Sequence, residues 1–405
     1  MSSATDNPKS PAPATAAPVA EVTASLHLRA IEPADGPELH ALLLTSLPGV
    51  PRDRRRWLAR WHWQTWDNPF RENRPAGWVI EAQGRLMGHL GAVYLPWRVA
   101  GGPRLGMIAT DYAVAPEALV HGGAFAGLTL AQAFFDATAG AFPLATTANE
   151  KTGAVFARYG CRPVPWTREF WRAPTTTAQQ VRTCRGANSR LTRKVLGGPN
   201  GGASLRLAGW LYASLHHRPA VPIPGGCRVE TTTPRLALDL GRIRGDLAGP
   251  RTRDAQPGGF TGIDRSQPYF DWRYGRHPEQ DRHRVITIRD ADGTVLAGAV
   301  ILFESTAGFS DEAATTTASP LRALVTDLIA PSHRDDLVKT LFCAALLLAA
   351  DHEAEFLVTT AGQDRLRPLF WELGFEPRAR NAPAVVLGGD HPTDAALDFW
   401  CGAMF

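Results

Sequence analysis

The same order of hydrophobic and polar positions occurs in both halves of the chain. Residues 78–95, WVIEAQGRLMGHLGAVYL, are two β-rich runs joined by a polar turn at Gln83 and Gly84. Residues 284–302, RVITIRDADGTVLAGAVIL, repeat that plan with a turn at Asp292 and Gly293. Both segments are predicted to be β-hairpins. Each follows an aromatic stretch closed by proline, WHWQTWDNPF around Trp63 and FDWRYGRHP around Trp272. Each leads into a strand that places an aspartate after a threonine: MIATDYAVAP with Asp111 and ALVTDLIAP with Asp327. Apolar residues at helical spacing then predict long helices in LTLAQAFFDATAGA and LVKTLFCAALLLAADHEA. The last matched pair is LATTANEKTGAVFARYGCRP and LVTTAGQDRLRPLFWELGFEP, a strand and then a helix that stops at Gly160 or Gly374 in the position of a left-handed cap.

Matched positions lie about 210 to 216 residues apart throughout, and an order kept over that many elements marks a duplication. Each half therefore reads as one α+β unit of hairpin, strand, helix, strand and helix. The 405 residues divide into a disordered tail at 1–25, a first domain at 26–172, a connector at 173–262 and a second domain at 263–405. The tail is Ala, Pro, Ser and Thr with almost no large apolar side chain to bury. Turn-rich clusters such as GGPNGG and RPAVPIPGG punctuate the connector, with a helix expected around Leu205 to His216.

Composition narrows the function classes. With 44% hydrophobic and 20% charged residues and no apolar run long enough to cross a bilayer, the chain reads as a soluble globular protein. A net charge of +4 is small for this length, so no nucleic-acid partner is expected. Cys161, Cys184, Cys227, Cys343 and Cys401 are odd in number and form no CxxC pair. That spacing argues for a reducing compartment, against a disulfide framework and against a metal site. The first residues lack a basic start and an apolar core of the secretory kind, which makes the cytoplasm the expected location.

The order of elements resembles the GNAT fold of acyl-CoA N-acyltransferases, and two motifs carry the likeness. In that family a strand feeds a turn with the pattern Arg or Gln, two residues, Gly or Ala, one residue, Gly or Ala. Its bare amides at a helix N-terminus receive the pyrophosphate of coenzyme A. His121, Gly122, Gly123, Ala124, Phe125 and Ala126 fit this spacing, with histidine in place of Arg or Gln. A run of small residues for tight packing gives the same string. The matching turn in the second half, SHRDDLVKTL, has no glycine and starts its helix with Asp335 and Asp336. Those carboxylates suit a helix dipole but repel a pyrophosphate, so the second half is expected to be the weaker CoA binder.

The second motif resembles the family's NxxAxxLYxxxGF. Asn149, Thr152, Val155, Phe156, Gly160 and Cys161 match it in the first half, and Gln363, Leu366, Leu369, Phe370, Gly374 and Phe375 in the second. Both halves have phenylalanine where the family often has the tyrosine that protonates the departing thiolate, and a phenyl ring has no proton to give. Asn149 is equally well explained as a helix N-cap.

The resemblance implies two tandem GNAT-like α+β domains, each a mixed, mostly antiparallel sheet flanked by helices. The tandem form with tryptophans before each hairpin is also similar to acetyltransferase-like proteins encoded with polysaccharide and cell-envelope genes. It implies acetyl-CoA as acyl donor and a small-molecule or saccharide amine as acceptor, such as an amino sugar or an envelope precursor. The oxyanion is then held by backbone N–H groups of Ala113, Val114 and Ala115, and Asn149 and Phe156 lie near the cofactor. Asp111 is the candidate base, with Glu150 and His121 as others, and Tyr112 and Tyr159 carry hydroxyls that stand in for the missing acid. Against Asp111, an aspartate kept in both halves is as easily a structural partner at a strand end. Trp57, Trp61, Trp63 and Trp66 fit a core as well as a sugar-binding cleft between the domains. Two other functions share the fold: a Fem-type aminoacyl transferase, and a scaffold of two degenerate domains.

Overall fold

The computed structural model describes residues 26–47, 49–99, 102–119, 125–138, 140–146, 150–164, 169–175, 221–234, 240, 261–305, 321–331, 333–360, 366–379, 386–388 and 397–398. The predicted tail, most of the connector with its expected helix at 205–216, His121 to Ala124, and Asn149 and Gln363 lie outside the described residues.

The first half runs β1 (His27–Ala30), α1 (Gly36–Ser46), α2 (Arg54–Thr65), then the hairpin β2 (Gly77–Ala82) and β3 (Arg85–Val99). It continues with β4 (Gly102–Val114), α3 (Ala126–Asp136), β5 (Ala141–Ala145), α4 (Glu150–Arg158), β6 (Arg162–Pro163) and β7 (Glu169–Pro174). After β8 (Arg228–Thr232) and β9 (Thr261–Ile263) come α5 (Gln267–Phe270), which passes into a π-turn over Asp271–Gly275, and the hairpin β10 (His283–Arg289) and β11 (Val295–Ser305). The order β12 (Leu321–Ile329), α6 (Asp335–Asp351), β13 (Phe356–Thr360), α7 (Arg367–Glu372) and β14 (Glu376–Ala379) then repeats the first half, followed by β15 (Val386–Leu387) and β16 (Leu397–Asp398).

Two mixed sheets result, each flanked by helices, as expected of an α+β protein. One has the order β1-β2-β3-β4-β5-β15-β6, with β9 added beside β3; the other has the order β14-β7-β13-β12-β11-β10-β8. In each, the central strand pairs in parallel with the strand that follows its helix, β4 with β5 and β12 with β13, because the intervening helix crosses over the sheet. Gly160 and Gly374 both have φ +78°, and the amide after each returns to the carbonyl of Phe156 or Phe370. The helix ends therefore match as the repeat predicts.

The sheets exchange their last strands. β7, from the first half, inserts between β13 and β14 of the second sheet, with Trp171 fully buried among α6 and α7 side chains. β15, from the C-terminal region, inserts between β5 and β6 of the first sheet. A boundary at 172 thus falls inside a strand of the second sheet, and β8, in the connector, forms that sheet's far edge. Period-two patterning tells which face of a strand is apolar and leaves open which sheet it joins.

A shared core lies between the sheets. Val93, Leu95, Trp97 and Ile108 from one meet Val285, Val300 and Ile329 from the other, with Trp63 and Trp272 among them. These two tryptophans stack at 5.0 Å, and each ring N–H donates to the other's backbone carbonyl, at 2.8 and 3.0 Å. The residues lie 209 apart, so the reciprocal bonds mark an approximate two-fold axis relating the repeats.

Candidate functional site

The geometry begins where β5 leaves β4. Their parallel pairing runs from Leu105 opposite Ala141 to Ala109 opposite Ala145 and stops, while β4 continues along β3 to Val114. At the divergence β4 carries a bulge, since the register passes from Gly91 opposite Thr110 to His89 opposite Ala113, leaving Asp111 and Tyr112 to face Leu90 alone. Asp111 sits in the bulge with φ +50°, a left-handed conformation that costs a non-glycine residue about 1 kcal/mol or more. A side chain at Gly91 would bring its Cβ to 2.5 Å from Thr110 Oγ1, so the bulge needs a glycine beside it. The extra residue inverts the alternation: Ala109 packs with the α3 core, whereas Ala113 and Ala115 pack with the α1–α2 core.

This register also sorts the backbone amides named for the oxyanion. Ala115 N–H donates to the Met87 carbonyl at 2.8 Å, and by the alternation of an antiparallel ladder Ala113 also bonds toward β3. Val114 N–H is the one that faces the side β5 has left. Of the three residues Ala113, Val114 and Ala115, only Val114 has its amide directed away from β3.

Asp111 and its repeat counterpart have diverged. Asp327 is fully buried; its carboxylate accepts from Arg265 Nε at 2.6 Å and from the hydroxyls of Tyr269 and Tyr274 at 3.3 and 3.2 Å. It is a sealed structural cluster. Asp111 is half-buried, with no hydrogen bond to its carboxylate from any described residue. Burial pushes its carboxyl up to about 6, with the Arg60 guanidinium holding it down in part. Such a group changes protonation close to neutrality, as a general base must.

The other expected site residues separate into three groups. Phe125 is exposed and caps α3 with no side-chain bond to the first-turn amides, while Ala126 is buried beneath it. Gly127 and Tyr112 hold this turn to the sheet, because the Tyr112 hydroxyl donates to the Gly127 carbonyl at 2.6 Å. Burial pushes that phenol up to about 12, so Tyr112 is a strut and a poor proton donor. Glu150 is exposed at the start of α4, and Tyr159 follows its far end, about 13 Å away along a nine-residue helix. Tyr159 stacks on Phe135 at 4.0 Å and its hydroxyl donates to Gln132 at 3.0 Å. The structure thus separates Tyr159 from Glu150.

Phe156 requires a correction. It is fully buried against Phe134 and Phe135, with ring centroids at 5.8 and 5.0 Å, and has no surface to offer a cofactor. Helical spacing marks it as facing inward but does not say whether a ligand or a core is there. The cleft reading of the tryptophans is corrected too: Trp57, Trp61 and Trp63 are buried in core clusters, and Trp66 is half-buried and packs against one of them. At the start of α6, Asp335 and Asp336 are exposed, and Asp336 is clamped by Arg334 at 2.7 Å. That hydrogen bond lowers its carboxyl below the usual range and keeps negative charge at the helix start.

Arg60 was not singled out by the sequence, though the i, i+4 pair Arg56 and Arg60 in RRRWLARWHW lay beside the tryptophans that were. Among the described residues no group of three or more His, Cys, Asp or Glu is placed to hold a metal ion, and no helix is long and apolar enough to cross a membrane.

No family model matches the sequence, and comparison with curated proteins gives no match either. Solved structures do match. A GCN5-related N-acetyltransferase from Anabaena variabilis is 11% identical with a TM-score of 0.53, over 90% of this chain and 72% of that one. A GCN5-related N-acetyltransferase from Kribbella flavida is 13% identical with a TM-score of 0.51, over 90% and 71%. Saccharomyces cerevisiae N-myristoyltransferase with bound myristoyl-CoA is 12% identical with a TM-score of 0.54, over 98% and 89%. Across nearly its whole length, then, the chain has the fold of these N-acyltransferases.

Proposed function

We propose that the protein is an acyl-CoA-dependent N-acyltransferase that moves an acetyl group from acetyl-CoA to a primary amine, with its site in the first half. The acceptor class is a small-molecule or saccharide amine, such as an amino sugar or an envelope precursor. One observation carries this reading: a strained, half-buried carboxyl poised near neutral pH stands where β4 and β5 part, while its duplicate, Asp327, is sealed by three side chains. A strained backbone and a carboxylate that accepts no bond from a described residue, found in one copy while the other copy is bonded by Arg265, Tyr269 and Tyr274, point to chemistry at the first.

In this reading Asp111 takes the proton of the incoming ammonium. The amine nitrogen then bonds to the acyl carbon, Val114 N–H stabilises the oxyanion, and the carbon–sulfur bond breaks. As the thiolate leaves, the second proton of the attacking nitrogen passes through water to the sulfur, giving amide and free thiol, because Phe156 has no proton to give and Tyr112 is committed to Gly127. The uncapped first turn of α3 and the glycines before it receive the pyrophosphate.

Two measurements test this. Calorimetric titration should show acetyl-CoA binding that is lost in Gly123→Asp and kept when Asp335 and Asp336 are changed to lysine. Thiol release with an amine acceptor should fall by about 10²–10⁴ in Asp111→Asn, together with loss of a rise in kcat/KM centred near pH 6. If acetyl-CoA does not bind the wild type, the scaffold reading replaces this one.

A further inference from the structure

Arg60 has no counter-ion among the described residues. It lies on α2 one turn after Arg56, and side chains four apart share a helix face. That face looks toward the second half: Arg56 forms an ion pair with Glu279, and Trp63, further along, stacks on Trp272. The carboxylates in electrostatic reach of Arg60 are Glu279, Glu304 and Asp111. Glu279 is shared by Arg56 and Arg282, and Glu304 accepts from Arg322 at 2.6 Å. Asp111 is the candidate base itself. No hydrogen bond or ion pair joins the Arg60 guanidinium to a described residue. His277 and His283 nearby are held below the usual histidine range, mainly by burial, and stay neutral at pH 7.

A half-buried guanidinium that lacks a partner is unfavourable in a folded protein. In the sealed copy, the residue 209 positions on from Arg60 is Tyr269, which donates to Asp327. Arg60 makes no such bond to Asp111, and it opposes the function assigned to that carboxyl. It lowers the base strength of Asp111 and repels a bare ammonium approaching it. Both penalties disappear if the acceptor brings its own negative charge.

We propose that Arg60 is a specificity-determining residue that holds a carboxylate or phosphate on the acceptor, so that the substrate is an amine with an anionic group a few bonds from the nitrogen. The anion pairs with Arg60 while the ammonium faces Asp111, so the two charges of the acceptor meet opposite charges across one opening. This inference rests on the acyl-transfer reading above.

The test is thiol release from acetyl-CoA with matched acceptors: glycine against glycinamide, phosphoethanolamine against ethanolamine, and glucosamine 6-phosphate against glucosamine. In at least one pair the anionic member should have a kcat/KM higher by about tenfold or more, and the pair that does so tells carboxylate from phosphate. Arg60→Ala should raise KM for that member by about tenfold, with no such loss for the neutral member, whose kcat/KM should rise as the repulsion of its ammonium is lifted, and Arg60→Lys should partly restore the preference. Its melting temperature should not fall, because an uncompensated cation is removed. Neutral acceptors equal to anionic ones in every pair, an equal loss on both members, or a lowered melting temperature would each overturn the assignment. If no amine releases thiol, the transfer reading fails by itself. Arg60 is then judged by calorimetry with N-acetylglycine and N-acetylglycinamide: tighter binding of the acid that Arg60→Ala abolishes supports it, and the absence of any such difference rejects it.

Discussion

Asparagine at position 111 separates the charge of this side chain from its shape. The two residues have the same size, and asparagine tolerates φ +50° as readily as aspartate, so the bulge should persist while the carboxylate is gone. In the wild type the carboxyl rises from 3.8 to about 6, chiefly through burial. The folded state thus holds this proton more tightly than the unfolded state. The contribution to stability is fully present below about 3.8, declines as the unfolded chain ionises, and is lost once the pH passes about 6. At about 1.4 kcal/mol per pH unit the shift corresponds to about 3 kcal/mol, and contact with water reduces this to about 2 kcal/mol for a half-buried group. Asp111→Asn should therefore be more stable than the wild type by about 2 kcal/mol at pH 8 and by about half of that at pH 5. Denaturant unfolding of both proteins at the two pH values measures the difference. A variant no more stable at pH 8, or one with the same gain at both pH values, would refute the claim that a desolvated carboxylate occupies the bulge. A more stable but inactive protein is the expected signature of a group retained for chemistry.

Three other substitutions probe the surroundings. Phe156→Tyr places a hydroxyl among Phe134 and Phe135; it should cost about 1–3 kcal/mol and give no faster thiol release than the wild type, as unfolding and rate assays will show. Asp327→Ala leaves the Arg265 guanidinium without its carboxylate and should destabilise by about 3–5 kcal/mol, with acetyl-CoA affinity unchanged in calorimetry. Trp63→Ala removes a ring stacked on Trp272 and the hydrogen bond its N–H donates to the Trp272 carbonyl, while the carbonyl of residue 63 can still accept from Trp272. It should cost about 3–5 kcal/mol, and hydrogen exchange should quicken in both sheets together.

The sequence by itself determined the repeat, the element types and the class of fold, because each rests on local patterning that a strand or helix must satisfy wherever it packs. The matched helix ends at Gly160 and Gly374 follow from a backbone geometry that only glycine takes up cheaply. It also pointed to Asp111, and to the contrast between a glycine turn in one half and Asp335 and Asp336 in the other. The tertiary structure alone decided the remainder. Whether Asp111 or Asp327 is sealed depends on Arg265, Tyr269 and Tyr274, which lie 53 to 62 residues from Asp327 in the chain. The strand exchange was illegible because the period-two pattern of β7 and of β15 reads the same whichever sheet each strand joins. Phe156 carried a motif signal that proved to be packing, since an apolar side chain on an inward helix face looks the same before a ligand and before a core. Arg60 stood in plain view in an arginine run, yet its meaning came from bonds it does not make. Which carboxylates are already taken is a property of the assembled fold, and no spacing along the chain records it.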